Sequence, residues 1–146
     1  MKKYVIGIIG KGFVGSAVAH GFSSAVGYDA EILIYDKDPL KGHVSLESVI
    51  KRSNIVFISV PTPSTKDGSI DLSILDKCIK EINEECEKQN NFNQIFLIRS
   101  TITPGTTLNY QNLFPKLKIV FNPEFLTERT AFFDFISQTT TNAIMD

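Results

Sequence analysis

Tyr4-Val5-Ile6-Gly7-Ile8-Ile9-Gly10-Lys11-Gly12-Phe13-Val14-Gly15 is the stretch that sets the fold class. Its first six residues are short, β-branched and almost continuously apolar, as strands buried on both faces of a parallel sheet are. Glycines follow at GxGxxG spacing, and behind them Phe13, Val14, Ala17, Val18, Phe22 and Ala25 recur with the period of a helix. In a strand-glycine-helix unit of this kind, Gly10 permits the tight turn. Gly12 lets a pyrophosphate approach the backbone, and Gly15 lets the helix pack closely on the strand, while unpaired N–H groups at the helix start face the phosphates. A glycine-rich turn that holds no ligand is the alternative.

The same alternation continues to the far end. Ile32 to Asp36, Ile55 to Val60, Ile95 to Arg99 and Leu117 to Phe121 read as further buried strands. Between them, Leu72, Leu75, Ile79, Ile82 and Cys86 recur at helical spacing after an N-cap expected at Asp71. Shorter helices are expected over Ser45 to Arg52 and Pro104 to Phe114, the second with Thr103 as N-cap and Pro104 at its first position. Five strands alternating with helices imply a doubly wound, Rossmann-like parallel α/β sheet, because parallel neighbours need right-handed crossovers. No repeat, low-complexity tract or linker divides the chain, so residues 1–146 are expected to form a single domain.

Asp36 ends the second strand at the spacing where a carboxylate meets an adenosine ribose. There it would accept from both ribose hydroxyls and repel a 2'-phosphate, which favours NAD over NADP; Lys37 and Lys41 soften that discrimination. A strand-terminal Asp capping a turn is the plainer reading, and Lys11 reads as a loop lysine within reach of a phosphate. Val60-Pro61-Thr62-Pro63 and Ser100-Thr101-Ile102-Thr103-Pro104-Gly105-Thr106 follow the third and fourth strands, at carboxyl ends where open α/β sheets bind ligands. Their prolines and threonines are equally common in ordinary loops. After the fifth strand, Asn122-Pro123-Glu124-Phe125-Leu126-Thr127-Glu128-Arg129 places Glu124 and Glu128 four apart, on one face if helical: a carboxylate pair for acid-base work, or a solvated turn.

Composition narrows the partners. With 146 residues, 42% hydrophobic and 21% charged, the chain is long enough to bury a core without disulfides or a structural metal. Fifteen Lys and Arg against sixteen Asp and Glu leave a formal charge of -1, without the basic excess that nucleic-acid binding needs. No apolar run reaches the ~20 residues of a membrane span, and the residues behind Met1-Lys2-Lys3 are too few for a signal peptide's core, so a cytoplasmic location is expected. Cys78 and Cys86 would stand about 12 Å apart along a helix, beyond disulfide reach. His20 and His43 complete no metal-ligand cluster.

Taken together, the GKGFVG loop, Asp36, VPTP, STITPGTT and NPEFLTE resemble the amino-terminal nucleotide domain of the UDP-glucose/GDP-mannose dehydrogenases. The resemblance runs over essentially the whole chain, and NPEFLTE is far more specific than GxGxxG. It implies NAD as cofactor, held by Gly10, Lys11, Gly12, Phe13, Val14, Gly15, Asp36 and Lys41 and flanked by Val60, Pro61, Thr62, Ser100 and Thr101. It implies a nucleotide sugar against Glu124, Phe125, Leu126 and Glu128. Thr101 and Glu128 would then stand near the reacting carbon and its water as a sugar C6 alcohol is oxidised to a carboxylate in two NAD-dependent steps.

Two departures accompany the resemblance. Arg129 stands where many members have a small residue, which bears on substrate choice. Members also continue into a central helix and a second domain carrying a lysine, an asparagine and a nucleophilic cysteine, whereas this sequence ends at Asp146. Cys78 and Cys86 do not substitute, since both fall on or beside an apolar helix stripe. The expectation is therefore a cofactor-binding half that does not turn over UDP-glucose alone. It would be one piece of an enzyme completed by another chain, a binding or regulatory module, or the cofactor half of a hydroxyacid-type dehydrogenase. Phe125, Leu126, Phe132, Phe133, Phe135 and Ile136 crowd six large apolar residues into twelve positions, from which a homodimer burying Phe132, Phe133 or Phe135 is expected, against a core helix that is aromatic.

Overall fold

The structure is a computed structural model that describes residues 4–23 and 30–122. Five parallel strands and four helices alternate: β1 Tyr4–Ile9, α1 Phe13–Gly21, β2 Ala30–Tyr35, α2 Leu46–Arg52, β3 Ile55–Ile58, α3 Ser73–Gln89, β4 Ile95–Ile98, α4 Thr106–Leu113 and β5 Lys118–Phe121. The sheet order is β2-β1-β3-β4-β5, so the chain steps one way from β1 to β2 and then crosses β1 to build the rest. That reversal opens a crevice between the carboxyl ends of β1 and β3.

Register makes the crevice a straight rim. Ile9 pairs with both Tyr35 and Ile58, Ile58 with Ile98, and Ile98 with Phe121. The next residues out, Gly10, Asp36, Ser59, Arg99 and Asn122, consequently stand in one row. Backbone bonds across the sheet hold them there: Gly10 N to Tyr35 O (2.9 Å), Ser59 N to Ile9 O (2.8 Å), Arg99 N to Ile58 O (2.8 Å) and Asn122 N to Ile98 O (3.0 Å).

Side-chain alternation sorts the two faces. On one, Val56, Ile58, Phe96, Ile98 and Ile119 pack under α2, α3 and α4, meeting Val49, Ile50, Leu75, Ile79, Ile82 and Tyr110. On the other, Ile6, Ile8, Ile34 and Phe57 meet Val18 of α1. The apolar period read for α3 is its buried stripe: Leu75, Ile79, Ile82 and Cys86 are fully buried. The Tyr110 hydroxyl, carried into this core, donates to Asp76 Oδ1 at 2.6 Å, which removes the cost of burying it bare.

Several boundaries differ from the sequence expectation. β2 begins two residues earlier than expected, while β3 ends two residues short of Val60 and β4 one short of Arg99. Thr103 is not the N-cap of α4, and Pro104 is not its first residue. Gly105, at φ 86°, takes the cap position after a turn in which Thr106 N donates to Thr103 O (3.2 Å), so the helix begins at Thr106. Asp71 does accept a backbone N–H, from Ser73 at 2.9 Å, but Leu72 occupies the cap position. Ser45, expected as the first residue of α2, is instead its N-cap, accepting from Ser48 N.

Gly15 fixes the departure of α1 from β1: a Cβ there would lie 2.1 Å from the Gly10 carbonyl oxygen. Gly15→Ala is expected to destabilise the fold by about 1 to 3 kcal/mol, the cost of forced overpacking. Urea unfolding checks this; a midpoint equal to the parent's would show that the turn yields without cost.

Candidate functional site

Sequence order and register bring the glycine loop, Asp36 and the β3 loop to one end of the sheet, where they open a pocket of about 380 Å³. Gly10 stands at φ 90°, in the left-handed region that glycine tolerates, and a Cβ on it would strike the Ser59 carbonyl at 2.7 Å. Gly12 is different. It has ordinary extended backbone, and a Cβ there would meet nothing within 4 Å among the described residues. Among the described residues nothing requires glycine at 12, and a side chain there would stand in the open space above the loop.

Asp36 sits one residue beyond β2 and is half-buried. Its Oδ2 accepts from Lys11 N at 2.7 Å and its Oδ1 from Asp38 N at 2.8 Å. The carboxylate thus ties the glycine loop to the turn after β2, and each oxygen keeps a lone pair for a further donor such as a ribose hydroxyl. The 37–42 turn folds back tightly. His43 N and Val44 N both donate to Ile34 O (3.0 and 3.2 Å), and a Cβ on Gly42 would lie 2.6 Å from Asp36 N. Lys37 and Lys41 line the mouth on this side.

Of the residues expected at a cofactor, Gly10, Gly12, Asp36, Lys41, Val60 and Pro61 line this one pocket. Gly15 and Val14 lie behind it in α1, and Lys11 contributes its backbone N–H to Asp36. Phe13 opens α1. Thr62, Ser100 and Thr101 stand away from the pocket along the rim. Ser100 is buried and donates its hydroxyl to Val60 O at 2.6 Å, joining the loops after β3 and β4, while Thr101 is exposed. Glu124, Phe125, Leu126 and Glu128, together with Arg129, Phe132, Phe133, Phe135 and Ile136, lie outside the described residues.

Sequence reasoning missed the contribution of α3. Ile74, Cys78 and Glu81 form a wall facing Tyr35, Asp36 and Lys37. Only the i, i+4, i+7 spacing of 74, 78 and 81 hinted at a shared face. It also missed Arg99, which is 1% exposed and donates to Asn122 Oδ1, linking the carboxyl ends of β4 and β5. Ser59 was missed too: it lines the pocket, and its buried Oγ has no hydrogen-bond partner among the described residues. Among the described residues no three His, Cys, Asp or Glu side chains gather as a metal site, and no helix is long and apolar enough to cross a membrane.

Both cysteines are free and buried. Burial, reinforced by Glu81 and opposed by Lys37, pushes the Cys78 thiol up to about 12, and burial with Glu85 does the same for Cys86. At pH 8 the thiolate fraction is on the order of one in 10⁴, so an aromatic disulfide reagent is expected to label neither cysteine until denaturant is added. Labelling of Cys78 within minutes in the folded protein would contradict this.

Comparison with known proteins gives the arrangement its family. Residues 34–141 match the UDP-glucose/GDP-mannose dehydrogenase family, NAD binding domain. An uncharacterized protein of Methanocaldococcus jannaschii is 31% identical, over 90% of this chain and 18% of its own length. UDP-glucose 6-dehydrogenase AglM of Haloferax volcanii is 27% identical, over 90% of this chain and 39% of its own. The 1.55 Å crystal structure of a ternary complex of GDP-mannose dehydrogenase from Pseudomonas aeruginosa superposes with a TM-score of 0.72 at 26% identity, covering 89% of this chain and 38% of that one. The chain thus spans less than two fifths of the length of each of these relatives. It belongs to the UDP-glucose/GDP-mannose dehydrogenase family and carries that family's Rossmann-type NAD-binding domain.

Proposed function

We propose that this chain is the cofactor half of a nucleotide-sugar 6-dehydrogenase of the UDP-glucose to UDP-glucuronate type. In this reading the NAD pyrophosphate lies over Gly10 to Gly15, with Lys11 in the loop and Phe13 and Val14 in the first turn of α1. The adenosine enters the pocket beside Asp36 and Lys41, and the nicotinamide reaches the rim at Val60, Pro61, Thr62, Ser100 and Thr101. The single observation that carries it is the open space over Gly12, next to a carboxylate already held in place by two backbone N–H groups. Among the described residues no neighbour excludes a side chain there, and an anionic group over the loop would meet the start of α1.

NAD supplies the hydride acceptor; orientation and proton handling fall to the protein. Thr101, exposed at the carboxyl end of β4, and Glu128, beyond β5, are proposed to act at the reacting carbon and its water. Glu124, Phe125, Leu126 and Glu128 are proposed to hold the sugar nucleotide. Ser100 supports Thr101 by anchoring its loop to Val60. A second copy of this chain or a further polypeptide segment is proposed to complete the site, with Phe132, Phe133 or Phe135 at the junction. The setting that fits this activity is sugar-acid supply for polysaccharide synthesis in the cytoplasm.

Calorimetric titration with NADH and UDP-glucose, separately and together, tests the reading. NADH is expected to bind the parent and to be lost in Gly12→Val, with the fold intact by circular dichroism; equal affinity in the variant would remove the loop from the site. Asp36→Ala is expected to weaken NADH about tenfold or more, the worth of a charge-assisted hydrogen bond, and to narrow the preference over NADPH. A parent that binds both cofactors equally would overturn the role of Asp36. In the protein that carries this domain, Thr101→Ala and Glu128→Gln are expected to lower NADH production from UDP-glucose by about 10² or more. Unchanged turnover would take these two residues out of the chemistry.

A further inference from the structure

We propose that Glu81 selects adenine: its carboxylate, on the wall of the pocket that Asp36 opens, accepts a hydrogen bond from the exocyclic amino group of the cofactor's base. This rests on the NAD reading above and adds to it a specificity-determining residue on α3.

Position comes first. A helix that follows a parallel strand begins at the carboxyl rim and runs back beneath it. α3 therefore starts near the rim, and each residue carries it about 1.5 Å inward. Ile74, Cys78 and Glu81 follow one another down the pocket wall, with Glu81 about 10 Å deeper than Ile74. A ribose held at Asp36 has its base directed into this slot, between the 37–41 turn and α3.

The chemistry of the slot comes next. Ile9, Val60, Ile74 and Cys78 make its lining mostly apolar, which suits the faces of a purine and does nothing for its polar edge. An amino group buried there without an acceptor would carry a desolvation penalty. Glu81 is the carboxylate within the slot that is set apart from the ribose end. Its ion pair with Lys77 is loose, 4.0 Å between Nζ and Oε1, with the lysine side chain 66% exposed, so it barely competes for the oxygens. Tyr35 faces it across the slot. Burial first, and the Glu81 carboxylate second, hold the Tyr35 hydroxyl above its ordinary value, so it stays neutral.

The test compares NADH with its hypoxanthine analogue, in which a carbonyl oxygen replaces the amino group and would face the carboxylate. Calorimetry on the whole chain is expected to show the parent preferring NADH by about ten- to hundredfold. In Glu81→Gln, whose carboxamide both donates and accepts, that ratio is expected to fall to within about threefold. Nicotinamide mononucleotide, which has no adenine, is expected to bind parent and variant alike; a loss there would show general damage to the pocket and overturn the assignment. A ratio unchanged by Glu81→Gln, or a parent that binds both dinucleotides equally, would overturn Glu81 alone and leave the NAD reading standing. A parent that binds neither dinucleotide would overturn that reading, and this inference with it.

Discussion

The departure of α1 from β1 is the constraint on which the rest depends. Gly15 presses so near the Gly10 carbonyl that no side chain fits between them, and this closeness seats the first turn of the helix directly on the sheet rim. Had α1 begun a few residues later, its free N–H groups would point into solvent beside the sheet. Because it begins here, they stand next to the row formed by Gly10, Asp36 and Ser59. The parallel register supplies the row, and the glycine contact supplies the donors. Neither makes a phosphate site alone.

Asp36 joins these two contributions. Its carboxylate receives the Lys11 and Asp38 N–H groups, so the negative charge is oriented before any ligand arrives. A group that is pre-positioned loses little freedom on binding, which is where much of the affinity of such sites originates. Ser100 performs a related task further along, where its bond to Val60 O ties the β3 and β4 loops together. The buried Arg99 does so again between β4 and β5 through Asn122. The rim is thus a chain of loop-to-loop bonds, each anchored by a residue just past a strand end.

The fold was legible because its signals are local. Short β-branched runs, helical periods and a glycine spacing each report on neighbours within a few residues, and Asp36 could be found by counting from the glycine loop. What escaped was tertiary. Whether Cys78 and Glu81 line a pocket depends on how α3 lies against the turn after β2, and nothing in the helix's own pattern distinguishes a pocket wall from an ordinary flank. Arg99 was read as the last residue of a strand, since an isolated arginine in sequence does not announce burial. The start of α4 was misplaced for a different reason. Thr103-Pro104 satisfies the helix-start pattern, but Gly105 offers a left-handed turn that delays the helix by two residues. The proposed substrate side, from Pro123 onward, lies outside the described residues and rests on the NPEFLTE resemblance.

The uneven distribution of helices has a thermodynamic consequence. Among the described residues, the buried cluster under α2, α3 and α4 has sixteen members, and the one under α1 has five. Cooperative opening begins where the fewest apolar contacts must be broken, so amide exchange in α1 should proceed through a lower-energy opening than in α3. In the placement proposed above, the cofactor would lie across the start of that same helix. Binding there would spend part of its energy on closing the less secured of the two described faces, so that occupancy would act as a brake on local unfolding.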